Sequence, residues 1–295
     1  AGTVAIGNGA TGTLDFDGTA YNTGAATYTA NSFTLSGTDP SFITNNLDVT
    51  FADGATGQIV LADASDLTID TDNGESSSGG GNIAIAPQIL GTDGGGGDTT
   101  NTSVTLDAGT GTITLSEEIK TDIGAVALTG STVTLTDHIT TDGDSFALTG
   151  AAVLEAAVTV TTANGSVDFS STIDSAEGET NAFTISSGTG DVDIDGAIGA
   201  TDAISTLKIN DTGGDGDIDL EGITSAAATT IGNADTAVLT FTGSTYTTTA
   251  DTEYEAASIL MSGTDPTFIS DGNAISFLVG DVELANASDL TVRSS

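Results

Sequence analysis

Short apolar–polar–apolar triplets recur through this chain and constrain its fold more than any other feature. The outer two side chains of a triplet can face a core while the middle one faces solvent, which is the period of a β-strand. The clearest triplets are residues 104–106, 113–115, 126–128, 133–135, 146–148, 167–169, 183–185, 192–194, 207–209 and 218–220. Val, Ile, Leu, Phe and Thr dominate them, and these residues suit pleated backbone. The pattern predicts an all-β protein.

The triplets are regularly spaced. Ile113, Val133 and Val153 begin corresponding segments 20 residues apart, and the interval widens to 25 between Val167 and Val192. Gly, Asp, Asn and Ser stand between triplets, as expected for turns. A recurrence of roughly 20–26 residues with two or three short strands is typical of one turn of a parallel β-solenoid. We therefore expect a single β-solenoid segment over residues 1–295.

A second, much longer repeat is also present. The matching pairs are 36–40 with 262–266, 64–68 with 287–291, Tyr28 with Tyr254, and Phe51 with Phe277. Residues 6–69 thus recur as 231–292, at a spacing of about 225 residues. We expect the chain to represent part of a longer array of such units.

Two Gly/Ser-rich stretches interrupt the rhythm, near residues 74–81 and 91–101. Their composition is typical of loops. They are either linkers between two blocks of turns or long excursions from the corners of one solenoid. We favour excursions, because residues 82–90 have the pattern of a strand and rejoin the rhythm.

The charge balance excludes several classes of partner. The chain carries 42 Asp and Glu against 3 Lys and Arg, for a formal net charge of −39, and it has no Cys. Nucleic acids and anionic membranes require a basic patch, which Lys120, Lys208 and Arg293 cannot form. Thiol chemistry and Cys/His zinc sites lack their ligands. No apolar stretch approaches the ~20 residues of a spanning helix, so we expect no membrane insertion.

The sharpest chemical motif is acidic. Asp191, Asp193, Asp195 and Asp202 stand at positions 1, 3, 5 and 12 of a stretch with Gly196 at position 6, which is the pattern of a calcium-binding EF loop. Alternatively, the apolar residues between the first three acids belong to a strand core and the acids point outward. The absence of a flanking helical pattern favours the strand, but these four Asp remain the candidate Ca²⁺ ligands. No other cofactor is expected.

Catalysis is not expected. Carboxylate pairs are numerous enough for a glycosidase, but the chain has no Trp and only four Tyr to stack on sugars. His138 is the only His, and the three basic residues are scattered. We predict that His138 occupies a solvated corner and that the chain is not an enzyme.

Residues 158–173 and 188–198 resemble the repeats of filamentous-haemagglutinin-type giant exoproteins in composition and rhythm. The resemblance implies a right-handed parallel β-helix at a bacterial surface, either attached or secreted. It also implies that the repeats have a structural role, so no functional residues are carried over.

These observations favour a structural protein, namely the acidic shaft of an extracellular adhesin or fibre. The alternative is a module that attaches to a cell surface or glycan receptor through Ca²⁺ held by outward carboxylates. A third possibility is a subunit that polymerises. The expected partners are copies of the chain stacked end to end, or further turns of a longer chain.

Overall fold

A computed structural model describes residues 2–53, 57–62, 64–74, 79–92, 102–120, 122–285 and 289–294. The described residues contain β-strands and no helix, and the parallel strands stack into a β-solenoid of about 12 turns. The predicted all-β solenoid fold is therefore confirmed.

The strands are short and follow one another closely. In the first part of the chain they are β1 (Val4–Gly7), β2 (Thr13–Phe16), β3 (Ala20–Asn22), β4 (Ala26–Ala30), β5 (Ser32–Leu35), β6 (Ser41–Ile43), β7 (Val49–Asp53), β8 (Gln58–Leu61), β9 (Leu67–Asp70), β10 (Ile83–Ile85), β11 (Gln88–Leu90), β12 (Thr102–Asp107), β13 (Thr112–Leu115), β14 (Ile119–Lys120), β15 (Ile123–Leu135) and β16 (Ile139–Thr140). The remaining strands are β17 (Phe146–Leu154), β18 (Val158–Thr161), β19 (Val167–Phe169), β20 (Ile173–Ser175), β21 (Ala182–Ser186), β22 (Val192–Ile198), β23 (Ile204–Ile209), β24 (Ile218–Gly232), β25 (Val238–Phe241), β26 (Thr245–Thr248), β27 (Thr252–Met261), β28 (Thr267–Ser270), β29 (Ile275–Leu284) and β30 (Thr291–Ser294).

The chain divides into two compact units, Ala1–Gly150 and Ala151–Ser295. In the first unit the strands form three columns, in which each strand pairs in parallel with the equivalent strand one turn away. The columns are β1–β4–β7–β10–β13–β15, β2–β5–β8–β11–β14–β16 and β3–β6–β9–β12–β15. One turn of this unit therefore consists of three strand segments, one in each column. The long strand β15 supplies two of them.

The second unit is built in the same way. Its columns are β18–β21–β23–β24–β27–β29, β19–β22–β24–β25–β27–β29 and β20–β22–β24–β26–β28–β30. Here β24, β27 and β29 are long enough to turn a corner and serve more than one column.

The apolar members of the triplets form the core. In β21, Phe183 and Ile185 are 0% exposed, whereas Thr184 between them is half-buried. Partner residues on adjacent parallel strands lie about 4.8 Å apart. Each buried side chain therefore contacts its equivalents in the turns above and below, which produces a continuous apolar spine.

The longest turns are those with an extended corner. Val192 and its partner Ile218 are 26 residues apart, within the predicted range, but Leu67 and its partner Val104 are 37 apart. The two Gly/Ser-rich stretches account for the long turns, because 74–81 lies between β9 and β10 and 91–101 lies between β11 and β12. Both interrupt turns of the first unit. Residues 75–78 and 93–101 of these stretches lie outside the described residues.

The long sequence repeat is also a structural repeat. The ring of Tyr21 stacks on Phe42 with centroids 4.8 Å apart and an interplanar angle of 14°, and Tyr246 stacks on Phe268 at 4.7 Å and 14°. Each Tyr hydroxyl also accepts a hydrogen bond from a backbone amide three residues earlier, at 2.7 Å in the first copy and 3.0 Å in the second. The two copies thus fold alike, each within its own unit.

Two equivalent glycines show how tightly adjacent turns pack. Gly7 and Gly232 have φ values of 84° and 77°, which L side chains rarely adopt. A Cβ at either position would lie 2.1 Å from a carbonyl oxygen of the next turn, that of Thr29 or Glu255. The close approach of two successive turns of backbone therefore requires glycine at this corner in both copies.

The second unit contains a buried polar column. Asn210 Nδ2 donates to Ser187 Oγ at 2.9 Å, and Asn210 Oδ1 accepts from the Ser187 backbone N–H at 2.9 Å. Asn233 Nδ2 donates in turn to the Asn210 carbonyl oxygen at 2.6 Å. These contacts satisfy polar atoms inside a corner and link three successive turns.

We expect Ile185→Ala to destabilise the second unit by about 2–5 kcal/mol, because it removes buried contacts within the spine and leaves a cavity. Thr184→Ala, one residue away on the outer face, should cost less than about 1 kcal/mol. Urea unfolding followed by far-UV circular dichroism would measure both changes. Equal losses in the two variants would contradict the assigned faces.

Candidate functional site

The four candidate calcium ligands are divided between a strand and a corner. Asp193 and Asp195 lie in β22 with exposed side chains, and Asp191 immediately precedes the strand. Val192 and Ile194 between them are each 1% exposed. The segment is therefore a strand with outward carboxylates, which is the alternative that the sequence favoured.

Asp191 and Asp202 have backbone partners of their own. Asp191 Oδ1 accepts a hydrogen bond from the Asp217 backbone N–H at 2.9 Å. Asp202 follows β22 at a corner, where its Oδ1 accepts from the Gly178 N–H at 3.2 Å. Throughout the described residues, no group of three or more His, Cys, Asp or Glu side chains is arranged to hold a metal ion.

The structure brings together a different set of acids. Asp193 pairs in register with Asp168 of the turn before and with Asp219 of the turn after. With Asp195, which lies two residues along β22, these residues form a set that we call the acid ladder. Successive positions in a parallel column are about 4.8 Å apart, so the carboxylates face one another across the strands.

Mutual repulsion and partial burial perturb the acid ladder. Burial, followed by the charge of Asp195, raises the pKa of Asp168. Burial also raises the pKa of Asp193, and the charges of Asp195, Asp219 and Asp168 add to the effect in that order. The fully ionised acid ladder is therefore less stable than the ladder with bound protons or screening cations.

Sequence reasoning identified Asp193 and Asp195 but missed Asp168 and Asp219. The available signal was the Asp at the centre of the triplets 167–169, 192–194 and 218–220. What the sequence did not supply was the register that aligns these three triplets.

Both Lys side chains and the His138 ring lie beside nearby acids. Lys120 pairs with Glu118, and Lys208 Nζ lies 2.6 Å from Asp211 Oδ2. His138 Nδ1 lies 3.6 Å from the adjacent Asp137 Oδ1, and its half-exposed side chain occupies a corner, as predicted. These ion pairs lie apart from the acid ladder, so they do not neutralise it.

Two surface hollows of the described residues are lined largely by polar side chains. One of about 280 Å³ in the second unit is lined by residues that include Thr230, Asp251 and Glu253. Another, of about 270 Å³ in the first unit, is lined by residues that include Asn22, Thr44 and Asn73. Hydroxyl, amide and carboxylate groups line both, so neither has the mostly apolar lining of a typical small-molecule site.

No protein-family model, curated protein or solved structure matches this chain. The structure supports a β-helix repeat protein without specifying a family. None of the described residues forms a helix that is both long and apolar enough to cross a membrane. Function must therefore be argued from the fold and its surfaces.

We expect Asp193→Asn to raise the urea midpoint of the second unit slightly at pH 7 and low salt. The gain in the free energy of unfolding should stay below about 1 kcal/mol, because the repulsion between exposed like charges on adjacent strands is weak and screened by solvent. Urea titrations at two ionic strengths would measure the gain, and added salt should reduce it.

The same variant gives an expected pH dependence. The pKa values of Asp168 and Asp193 are raised by folding, so their protonation stabilises the folded chain. That contribution is present below about pH 3.9 and is lost as the pH rises through the raised pKa values. The advantage of Asp193→Asn should therefore shrink towards pH 4. A destabilising effect at pH 7 would contradict the repulsive ladder.

Proposed function

We propose that this chain is a segment of the stiff, acidic shaft of an extracellular fibrous surface protein or adhesin. The observation that carries the proposal is the structural repeat. Residues 6–69 and 231–292 build the same strand order, aromatic stack and glycine corner. A unit that folds alike in each copy can be added repeatedly to lengthen a solenoid.

Parallel pairing supports stiffness. Each interior strand donates and accepts backbone hydrogen bonds with the turns on both sides, and the apolar spine is fully buried between them. Bending would open hydrogen bonds and core contacts together on one face. This stiffness supports a mechanical role, which requires no specific ligand.

The distribution of charge supports an isolated shaft. Outward acids give the chain a net charge of −39, which disfavours side-by-side association of identical rods. Association along the axis is different, because an added turn would extend the existing columns. The partners that this proposal favours are further turns of the same chain or copies stacked end to end. The proposed shaft function includes no catalytic activity and requires no cofactor.

A lengthened chain would test the proposal. Joining residues 1–230 to residues 6–295 inserts one further repeat at a natural junction, because residue 231 is equivalent to residue 6. Small-angle X-ray scattering should show an unchanged cross-section and a maximum dimension greater by about 40–45 Å, from about nine added turns at ~4.8 Å each. A control that joins residues 1–230 to residues 18–295 breaks the register of the strands. It should not show the same increase in maximum dimension at constant cross-section. A thicker, compact particle from the first chain would contradict the shaft.

The acid ladder favours a second candidate, a module that attaches to a cell surface or glycan receptor through Ca²⁺. Its outward carboxylates are oxygen ligands of the kind that Ca²⁺ prefers. Thermal melts with and without millimolar CaCl₂ would distinguish the candidates. A large upward shift that is lost in Asp193→Asn would support attachment, whereas an unchanged melt would support the shaft.

A further inference from the structure

One buried carboxyl group has an oxygen without a hydrogen-bond partner. Asp72 follows β9 at a corner of the first unit and is 1% exposed. Its Oδ1 accepts a hydrogen bond from the Gly74 N–H at 2.9 Å. Its Oδ2 is buried and has no partner, the only side-chain nitrogen or oxygen of the described residues in that condition. A buried, unpaired carboxylate oxygen is costly unless something neutralises it.

Two further carboxyl groups converge on this corner. Asp70, at the end of β9, pairs in register with Asp107 at the end of β12. Asp70 Oδ1 accepts from the backbone N–H groups of Asp72 at 3.0 Å and Asn73 at 2.7 Å. The Asp70 and Asp72 side chains are within hydrogen-bonding reach, and the charge of Asp107 acts on Asp72 from the next turn.

Backbone of the next turn lies close to Asp72 Oδ2. Gly109 of the next turn has a φ of 53°, and a Cβ there would lie 2.8 Å from Asp72 Oδ2. The Gly109 N–H donates to Asp107 Oδ1 at 2.9 Å. From the turn before, Asp48 accepts from the Asn82 N–H at 2.7 Å. The charged groups that act on Asp72, Asp70 from its own turn and Asp107 from the next, are both acids.

None of the ion pairs of the described residues neutralises Asp72. The three ion pairs of the described residues involve Lys120, Lys208 and His138, each with an acid elsewhere. Two carboxyl groups in contact, one of them buried, favour holding a proton between them, because ionising both brings like charges together. The proton comes from solvent and needs no additional space, which suits an enclosed oxygen.

We propose that Asp72 Oδ2 carries a proton and donates it to the Asp70 carboxylate, which forms an acid-closed latch within the corner that follows β9, facing Asp107 at the end of β12. The proposal does not depend on the shaft function. It assigns the unpartnered oxygen a donor role and explains how three acids share one corner. Burial, then the charge of Asp107, then the contact with Asp70 raise the pKa of Asp72, in agreement with this arrangement.

The latch responds to pH in one direction. The pKa of Asp72 is higher in the folded chain than in the unfolded chain, where an Asp titrates near 3.9. The latch is therefore complete below about pH 3.9, and its contribution is lost as the pH rises through the raised value. Loss of the proton leaves two or three facing negative charges, and the corner then loosens.

Carbon-13 NMR of the Asp carboxyl groups in the whole chain would test the latch directly, with Asp72→Asn used for assignment. The Asp72 signal should titrate above 3.9. Amide exchange at Asp72, Asn73 and Gly109 should accelerate as the pH rises through that midpoint, after correction for the intrinsic pH dependence of exchange. An Asp72 midpoint at or below 3.9 would overturn the proposal.

Asp72→Asn supplies a second measurement, because its amide can donate to Asp70 at any pH. At pH 7 it should raise the urea midpoint above that of wild type, and this advantage should shrink towards pH 4. The matched control is Asp215→Asn, which removes the same charge at an exposed position and should show no comparable trend. Destabilisation by Asp72→Asn at pH 7, or stabilisation of wild type but not the variant by CaCl₂, would overturn the latch.

Discussion

The structure depends on parallel hydrogen bonding between successive turns. A short strand has no partner within its own turn, so its backbone groups can be satisfied only by equivalent strands one turn away. This requirement fixes the columns of both units and the register of every described pair. It also explains the tolerance to insertion, because extra residues at a corner between β9 and β10 leave both strands in their columns.

The excess of acid has different consequences inside and outside the corners. Asp193 points from a strand into solvent, where water and salt screen the repulsion along the acid ladder. Asp72 is buried at a corner, where burial and the same kind of repulsion favour a bound proton. The same column geometry thus produces a weak electrostatic cost on the surface and a pH-sensitive contact in the interior.

The long structural repeat is the main support for the proposed shaft function. The equivalent stacks of Tyr21 on Phe42 and of Tyr246 on Phe268 show that the long repeat preserves its packing in detail, including the hydrogen bond to each Tyr hydroxyl. The two surface hollows described above lie outside this repeated interior packing. Length and stiffness are the properties that such a design supports most directly.

The sequence by itself determined the fold class, because the triplets around Phe183 and Ile185 place apolar side chains on one face at the β period, and their recurrence sets the length of a turn. It also favoured outward carboxylates at Asp193 and Asp195, and the structure shows both side chains exposed. Only the tertiary structure decided that Asp168 and Asp219 join them, and that Asp72 is buried against Gly109. The physical reason is that periodicity reports which way a side chain points within its own strand. Its neighbours across strands depend on register and corner length, which are set by packing between turns 20 or more residues apart.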